Sequence, residues 1–187
     1  MTVAAPIWRR PESYLAAETP DGPVLFFAPR ELARSARRFL DGFPGLVTYA
    51  VKANPEPAVL LGLMAEGVRA FDVASCAEID AVRALDPDAA LHYHTPVKSR
   101  GEIAHALAAG VRTFAVDCRA ELAKLLAMAQ GRRLELSVRF RLPVAGAAYD
   151  FGSKFGADPE AAAALLARAA EAGHDASLTF HPGTQCE

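Results

Sequence analysis

Short β-rich runs alternate with Ala/Leu-rich stretches of helical period along most of the chain, the pattern of a parallel sheet joined by crossover helices. Six strands are expected after the first helix, at residues 46–51, 69–74, 90–94, 112–117, 134–140 and 176–181. An earlier run at 24–28 also reads as extended, but it precedes the regular alternation and its pairing partner is left open. Gly67, Gly110, Gly131 and Gly173 each follow a helical stretch and precede a strand, where a residue that accepts positive φ ends the helix. Helix starts are marked as well: Asp158 precedes Pro159, and Ser99 and Glu102 have capping-box spacing.

Strand starts recur at the spacing of a (β/α) unit in a barrel. The fold class expected is therefore α/β, a (β/α)8 TIM barrel present as about six of its eight strands. Residues 1–45 form a lead-in with a strand and the first helix, and 46–187 a partial barrel. One interval breaks the rhythm, because residues 142–156, rich in Gly, Pro and aromatic side chains, intervene before the last helix. An insertion after a strand's carboxyl end falls on the face where barrel enzymes build their sites.

Composition narrows the partners. With 52% hydrophobic residues among 187, the chain can bury a core of its own. Its 20 basic and 22 acidic residues are well mixed and give a formal charge of -2, which offers no footprint for nucleic acid or an anionic membrane and leaves a small molecule as the expected partner. The first eighteen residues lack the continuous apolar run of a signal peptide, and no later stretch is long enough to span a bilayer. Three widely spaced cysteines argue against a disulfide framework and for a reducing, cytoplasmic setting.

The strand interiors read as mostly apolar, whereas the carboxyl ends carry Lys52, Asp72 with Ser75, His94, Asp117, Arg139 and His181. In a parallel barrel these ends face one side, so an amine, carboxylates, a guanidinium and imidazoles converge above a packed core. A lysine there either forms an imine with a carbonyl compound or pairs with an anion. The first use requires a neutral amine, which burial and nearby cations favour. Pyridoxal phosphate chemistry and sugar-aldolase chemistry both remain open at this point. His92 and His94 share a strand face and could begin a metal site, but no third ligand at suitable spacing accompanies them, so no metal is expected. Cys186 has no base paired with it and reads as structural.

Five blocks carry a family resemblance. Tyr49-Ala50-Val51-Lys52-Ala53-Asn54 resembles the cofactor-lysine motif of the fold type III pyridoxal-phosphate decarboxylases, the group of ornithine, lysine and diaminopimelate decarboxylases. Phe71-Asp72-Val73-Ala74-Ser75 with Glu78, Pro96-Val97-Lys98-Ser99, Ser153-Lys154-Phe155-Gly156 and Phe180-His181-Pro182-Gly183-Thr184-Gln185-Cys186 are similar to further blocks of that family, in order. The resemblance implies a barrel of the alanine racemase-like type and pyridoxal 5'-phosphate as cofactor. It implies that Lys52 holds the cofactor covalently and that His181 stacks on its ring. Thr184 stands where the family has a serine that bonds the phosphate, and the hydroxyl is kept. Arg139, Asp72 and Glu78 match positions beside the cofactor, and Lys154 matches a lysine of an inter-subunit salt bridge.

The implied reaction is α-decarboxylation of a basic L-amino acid, ornithine or lysine, in polyamine synthesis by a homodimer. Gln185 is also at home in diaminopimelate decarboxylases. The chain ends at Glu187, directly after the sixth strand, whereas a closed barrel has eight strands. The expectation is that the family's glycine-rich phosphate loop, its acid for the pyridine nitrogen and its C-terminal β-domain are absent, and that the 187 residues alone are inactive. Three readings follow: the N-terminal portion of a decarboxylase; a non-catalytic relative like the antizyme inhibitors, against which Lys52, His181 and Thr184 argue; or another fold type III enzyme, a racemase or aldolase.

Overall fold

Six parallel strands lie in one sheet in their sequence order, each joined to the next by a helix. The computed structural model describes residues 7–142 and 154–184. Helices α1 (Pro11–Glu18) and α2 (Pro29–Gly42) precede the sheet. The alternation then runs β1 (Thr48–Ala50), α3 (Pro57–Ala65), β2 (Ala70–Val73), α4 (Cys76–Leu85), β3 (Ala90–Tyr93), α5 (Arg100–Ala108), β4 (Thr113–Val116), α6 (Arg119–Met128), β5 (Glu135–Arg139), α7 (Pro159–Glu171) and β6 (Asp175–Thr179). β1 and β6 do not pair with each other, so the barrel is open, as the count of strands implied.

The punctuation read from the sequence is realised locally. Gly67, Gly110, Gly131 and Gly173 all adopt positive φ between their helix and strand. Ser99 and Glu102 form a reciprocal capping box on α5, and the Asp158 carboxylate accepts from Ala161 N at 2.8 Å to start α7. The run at 24–28 forms no strand of this sheet, and Leu25 within it is 91% exposed. Without a partner strand, an extended run has no ladder to join.

The strand interiors differ from expectation. Side chains alternate across a strand, and only one face is apolar. Phe71 and Val73 on β2, Leu91 and Tyr93 on β3, Phe114 and Val116 on β4, and Leu136 and Val138 on β5 pack into the core shared with the helices. The opposite face carries Asp72, His92, Thr113, Glu135, Ser137, Arg139 and Ser177. Its polar groups bond across strands: Thr113 Oγ1 donates to Glu135 Oε2 at 3.1 Å, and Ser177 Oγ donates to Glu135 Oε1 at 2.9 Å. The core therefore lies between sheet and helices, and the inner face is polar below the rim as well as at it. The overall composition of a run does not separate the two faces that alternation produces.

The insertion after β5 is described only at its ends. Phe140 bridges to Ala157 beside the sheet, and Gly156 N donates to Asp117 Oδ2 at 3.1 Å. Gly156 has φ +108°, and a Cβ there would meet Arg141 N and the Phe140 carbonyl carbon at 3.0 Å. The rest of the expected loop, Ser153 included, lies outside the described residues, as do Gln185, Cys186 and Glu187. Among the described residues no helix is long and apolar enough to cross a membrane.

Candidate active site

β1 ends early, and a single 3-10 turn, Val51–Ala53, follows it directly. Val51 is fully buried and anchors that turn in the core, so the next residue, Lys52, is delivered outward at the carboxyl end of the strand. Tyr49 Oη donates to Asn54 O at 3.3 Å, and Asn54 Oδ1 accepts from Glu56 N at 3.1 Å, which closes the turn ahead of α3. Parallel register does the rest. Ala50 stands beside Asp72, Asp72 beside His92, and Arg139 beside Thr179, so inner-face residues of successive strands share one rim.

A cavity of about 240 Å³ opens at that rim, lined by Lys52, Asp72, His94, Arg139, Phe155 and His181 among others. Four of the six residues expected to meet the cofactor are thus brought together. The other two are placed differently. Glu78 does not line the cavity: its Oε2 accepts from Ala74 N at 3.0 Å and its Oε1 from Ser75 Oγ at 3.2 Å, the work of a cap on α4. Ala74 does line the cavity, so Glu78 acts on the rim through its backbone. Thr184 is exposed and is not a lining residue. Lys154, the expected interface residue, is also exposed.

The electrostatics favour a neutral imidazole beside two cations. Burial, then Arg139 and Lys52, push the His181 pKa down from its ordinary value. Its Nδ1 accepts from Gly183 N at 2.9 Å, a bond that a neutral ring can make. Burial lowers Arg139 as well, opposed by Asp117 and Asp72. The guanidinium carbon lies 5.4 Å from the centre of the Phe155 ring, a cation-π contact at the cavity wall. Asp72 contributes the one anion of the lining, and its Oδ1 is shut off from solvent without an aligned hydrogen bond.

Three further participants are not among the six residues expected to meet the cofactor. Phe155 stood in the Ser-Lys-Phe-Gly block of the inserted loop without a role of its own. His94, read as a rim residue, faces Asp72 with Nδ1 3.2 Å from Oδ1. Its ring lies 5.6 Å from that of His92, and among the described residues no three His, Cys, Asp or Glu side chains gather as a metal-holding group. Lys98 is 1% exposed, and its Nζ donates to the carbonyls of Thr95 at 2.5 Å, Ala115 at 2.7 Å and Pro96 at 3.1 Å. Thr95 and Pro96 line the cavity, so this buried amine fixes part of its wall. Only the Pro-Val-Lys-Ser block hinted at it.

Known proteins with the same features agree on a class. Residues 30–187 match the family model of the pyridoxal binding domain of pyridoxal-dependent decarboxylases. The ornithine decarboxylase of Panagrellus redivivus is 40% identical over 140 residues, 74% of this chain and 32% of that protein. The diaminopimelate decarboxylase of Pseudomonas aeruginosa is 32% identical over 164 residues, 81% of this chain and 39% of that protein. Among solved structures, the lysine/ornithine decarboxylase of Vibrio vulnificus in complex with putrescine superposes with a TM-score of 0.78 at 30% identity, covering 93% of this chain and 45% of that one. The chain spans less than half the length of these relatives.

Proposed function

Because the chain belongs to the pyridoxal-dependent decarboxylases, we propose that it forms the cofactor-holding part of an enzyme that removes the α-carboxylate of a basic L-amino acid, ornithine or lysine. The observation that carries this reading is the position of Lys52 in one cavity with His181, Arg139 and Asp72. The donor set fits pyridoxal 5'-phosphate: an amine for its aldehyde, a flat neutral imidazole for its ring, and a buried carboxylate oxygen still lacking an aligned donor. When bound, the cofactor supplies an electron-withdrawing ring that accepts the pair left as carbon dioxide departs.

The chain's own residues do the rest. Lys52 would hold the cofactor through Nζ, a nitrogen that must shed a proton before it can bond to an aldehyde. His181 covers one face of the ring and excludes water from it. Arg139, pinned by Phe155 and flanked by Asp117, keeps a positive charge on the cavity wall without closing on Lys52. The family resemblance assigns the Thr184 hydroxyl to the phosphate, and Glu78 serves by holding Ala74.

Borohydride reduction in the presence of pyridoxal phosphate, followed by peptide mapping, tests the reading. A pyridoxyl group on Lys52 is expected, and its absence from the full-length protein sinks the enzyme reading in favour of a non-catalytic binding module. The similarity to a diaminopimelate decarboxylase supports a second substrate, and a panel of ornithine, lysine and diaminopimelate separates the two. The same membership supports a homodimer in the cytoplasm, which sedimentation of the full-length protein tests.

A further inference from the structure

We propose that His94 is a positioning residue of this cavity, holding the Asp72 carboxylate on the β3 side so that it does not close on Lys52; the consequence for Lys52 rests on the reading above. The starting observation is an anionic oxygen in an awkward place. Asp72 Oδ1 has no contact with solvent and no aligned hydrogen bond. A buried carboxylate oxygen without a partner is costly, and it turns toward the nearest cation that can reach it. Two groups compete for that role within the lining besides Arg139: His94, with Nδ1 3.2 Å away, and the Lys52 amine, at the end of the adjacent strand.

The two pairings have opposite effects on chemistry. A carboxylate drawn to Lys52 stabilises the ammonium and takes the amine out of reaction. A carboxylate facing His94 leaves the amine free. The interaction also fixes the imidazole, because Asp72 favours a proton on Nδ1 and leaves Nε2 as the ring's other polar atom. The charged and titratable groups around the pair are Lys52 after β1, Asp72 on β2, His92 on β3, Asp117 after β4, Arg139 on β5 and His181 after β6. Arg139 rests on the Phe155 ring and is acted on by both Asp117 and Asp72, with no hydrogen bond from it to the Asp72 oxygen, whereas His94 stands 3.2 Å from that oxygen. His94 is therefore the group whose loss frees Asp72 to move.

Two measurements on the full chain test this. The first needs no cofactor: nitrogen-15 spectra of the imidazole rings should show His94 with its proton on Nδ1, and Asp72→Asn should shift those resonances. Unchanged His94 resonances in Asp72→Asn overturn the proposal. The second follows pyridoxal phosphate and borohydride labelling of Lys52 against pH. In His94→Ala, and in the ring-keeping His94→Phe, the labelling profile should move up by about one pH unit, which is about tenfold slower labelling at a fixed pH below the midpoint. His94→Gln, whose amide can still donate to Asp72, should recover part of the shift. Profiles in His94→Ala and His94→Phe that match the unaltered chain overturn the proposal, whereas a shift in one that folds supports it. If the unaltered protein leaves Lys52 unlabelled, the proposed cofactor role of Lys52 fails, and the ring spectra alone decide whether the pair exists.

Discussion

Lys52 is the one side chain whose replacement should abolish covalent capture outright. In Lys52→Ala the pyridoxyl label is expected to vanish from the peptide carrying residues 48–57, whereas in His181→Ala the label should persist at reduced yield, because the stacking proposed for His181 would orient the ring without bonding to it. Mass spectrometry of the reduced protein checks both, and a label of undiminished yield in Lys52→Ala would place the reacting amine elsewhere. Position along the chain made Lys52, Asp72, Arg139 and His181 legible in the sequence: each sits at the carboxyl end of an apolar run, and parallel strands bring such ends to one rim. The partners were not legible. That Asp72 faces His94, or that Glu78 spends its carboxylate on a helix cap, depends on rotamers and on registers such as Asp72 beside His92, which no local pattern encodes.

At the scale of elements, two turns that shape the cavity wall depend on single residues. Gly156 joins the inserted loop to the sheet at φ +108°, so Gly156→Ala is expected to lose about 1–3 kcal/mol of stability and to loosen Phe155 from Arg139. Urea melts and the rate of Lys52 labelling read these two effects separately. The turn between β3 and α5 depends on Lys98. Its Nζ binds three carbonyls, Glu121 accepts from its backbone N–H at 3.2 Å, and Lys124 bonds both Glu121 and the Lys98 carbonyl. Lys98→Met should cost about 2–4 kcal/mol, since it leaves those three carbonyls without their donor, while Glu121 keeps the backbone N–H and Lys124.

Lys98 also gives stability a pH dependence whose sign follows from its burial. Desolvation outweighs the opposing field of Glu121 and pushes the ammonium down to about 8 from 10.5. The folded value is the lower one, so between those two pH values the unfolded chain holds the extra proton. The penalty for burying a charge is fully present below pH 8 and is relieved as pH rises through the window, so this contribution to stability rises with pH. Urea melts at pH 7.5 and pH 10 should therefore differ by less in Lys98→Met than in the unaltered chain in the direction of alkaline stabilisation. An equal difference in both proteins would mean that the titrating group is another one. None of this was visible in the sequence, where Lys98 stood in a motif without a stated role, because burial of a lysine is a tertiary fact.

For residues 1–187 taken as a whole, the governing feature is a sheet with two open edges among the described residues. Among the described residues β1 and β6 each have one strand neighbour, and exposed apolar side chains adjoin both in sequence: Phe43 and Leu46 before β1, Leu178 in β6 and Phe180 after it. Unpaired edges of this kind invite association. The polar inner face, with Glu135, Ser177 and His92, is suited to the inside of a closed barrel and is only partly enclosed here. His181 hangs from the end of β6, so the residue proposed to stack on the cofactor is carried by an edge strand, and Lys52 follows β1, the other edge. Fluctuation of the two edges relative to each other changes the distance between the amine and the imidazole, which on the proposed reading act on the same ring. Residues 1–187 alone are therefore expected to capture pyridoxal phosphate only transiently, as a trapped label without stable binding in gel filtration, to release no measurable carbon dioxide from ornithine, and to self-associate as concentration rises. Turnover of ornithine by these residues alone would show that the edges hold Lys52 and His181 in register unaided, and would refute this account of the open sheet.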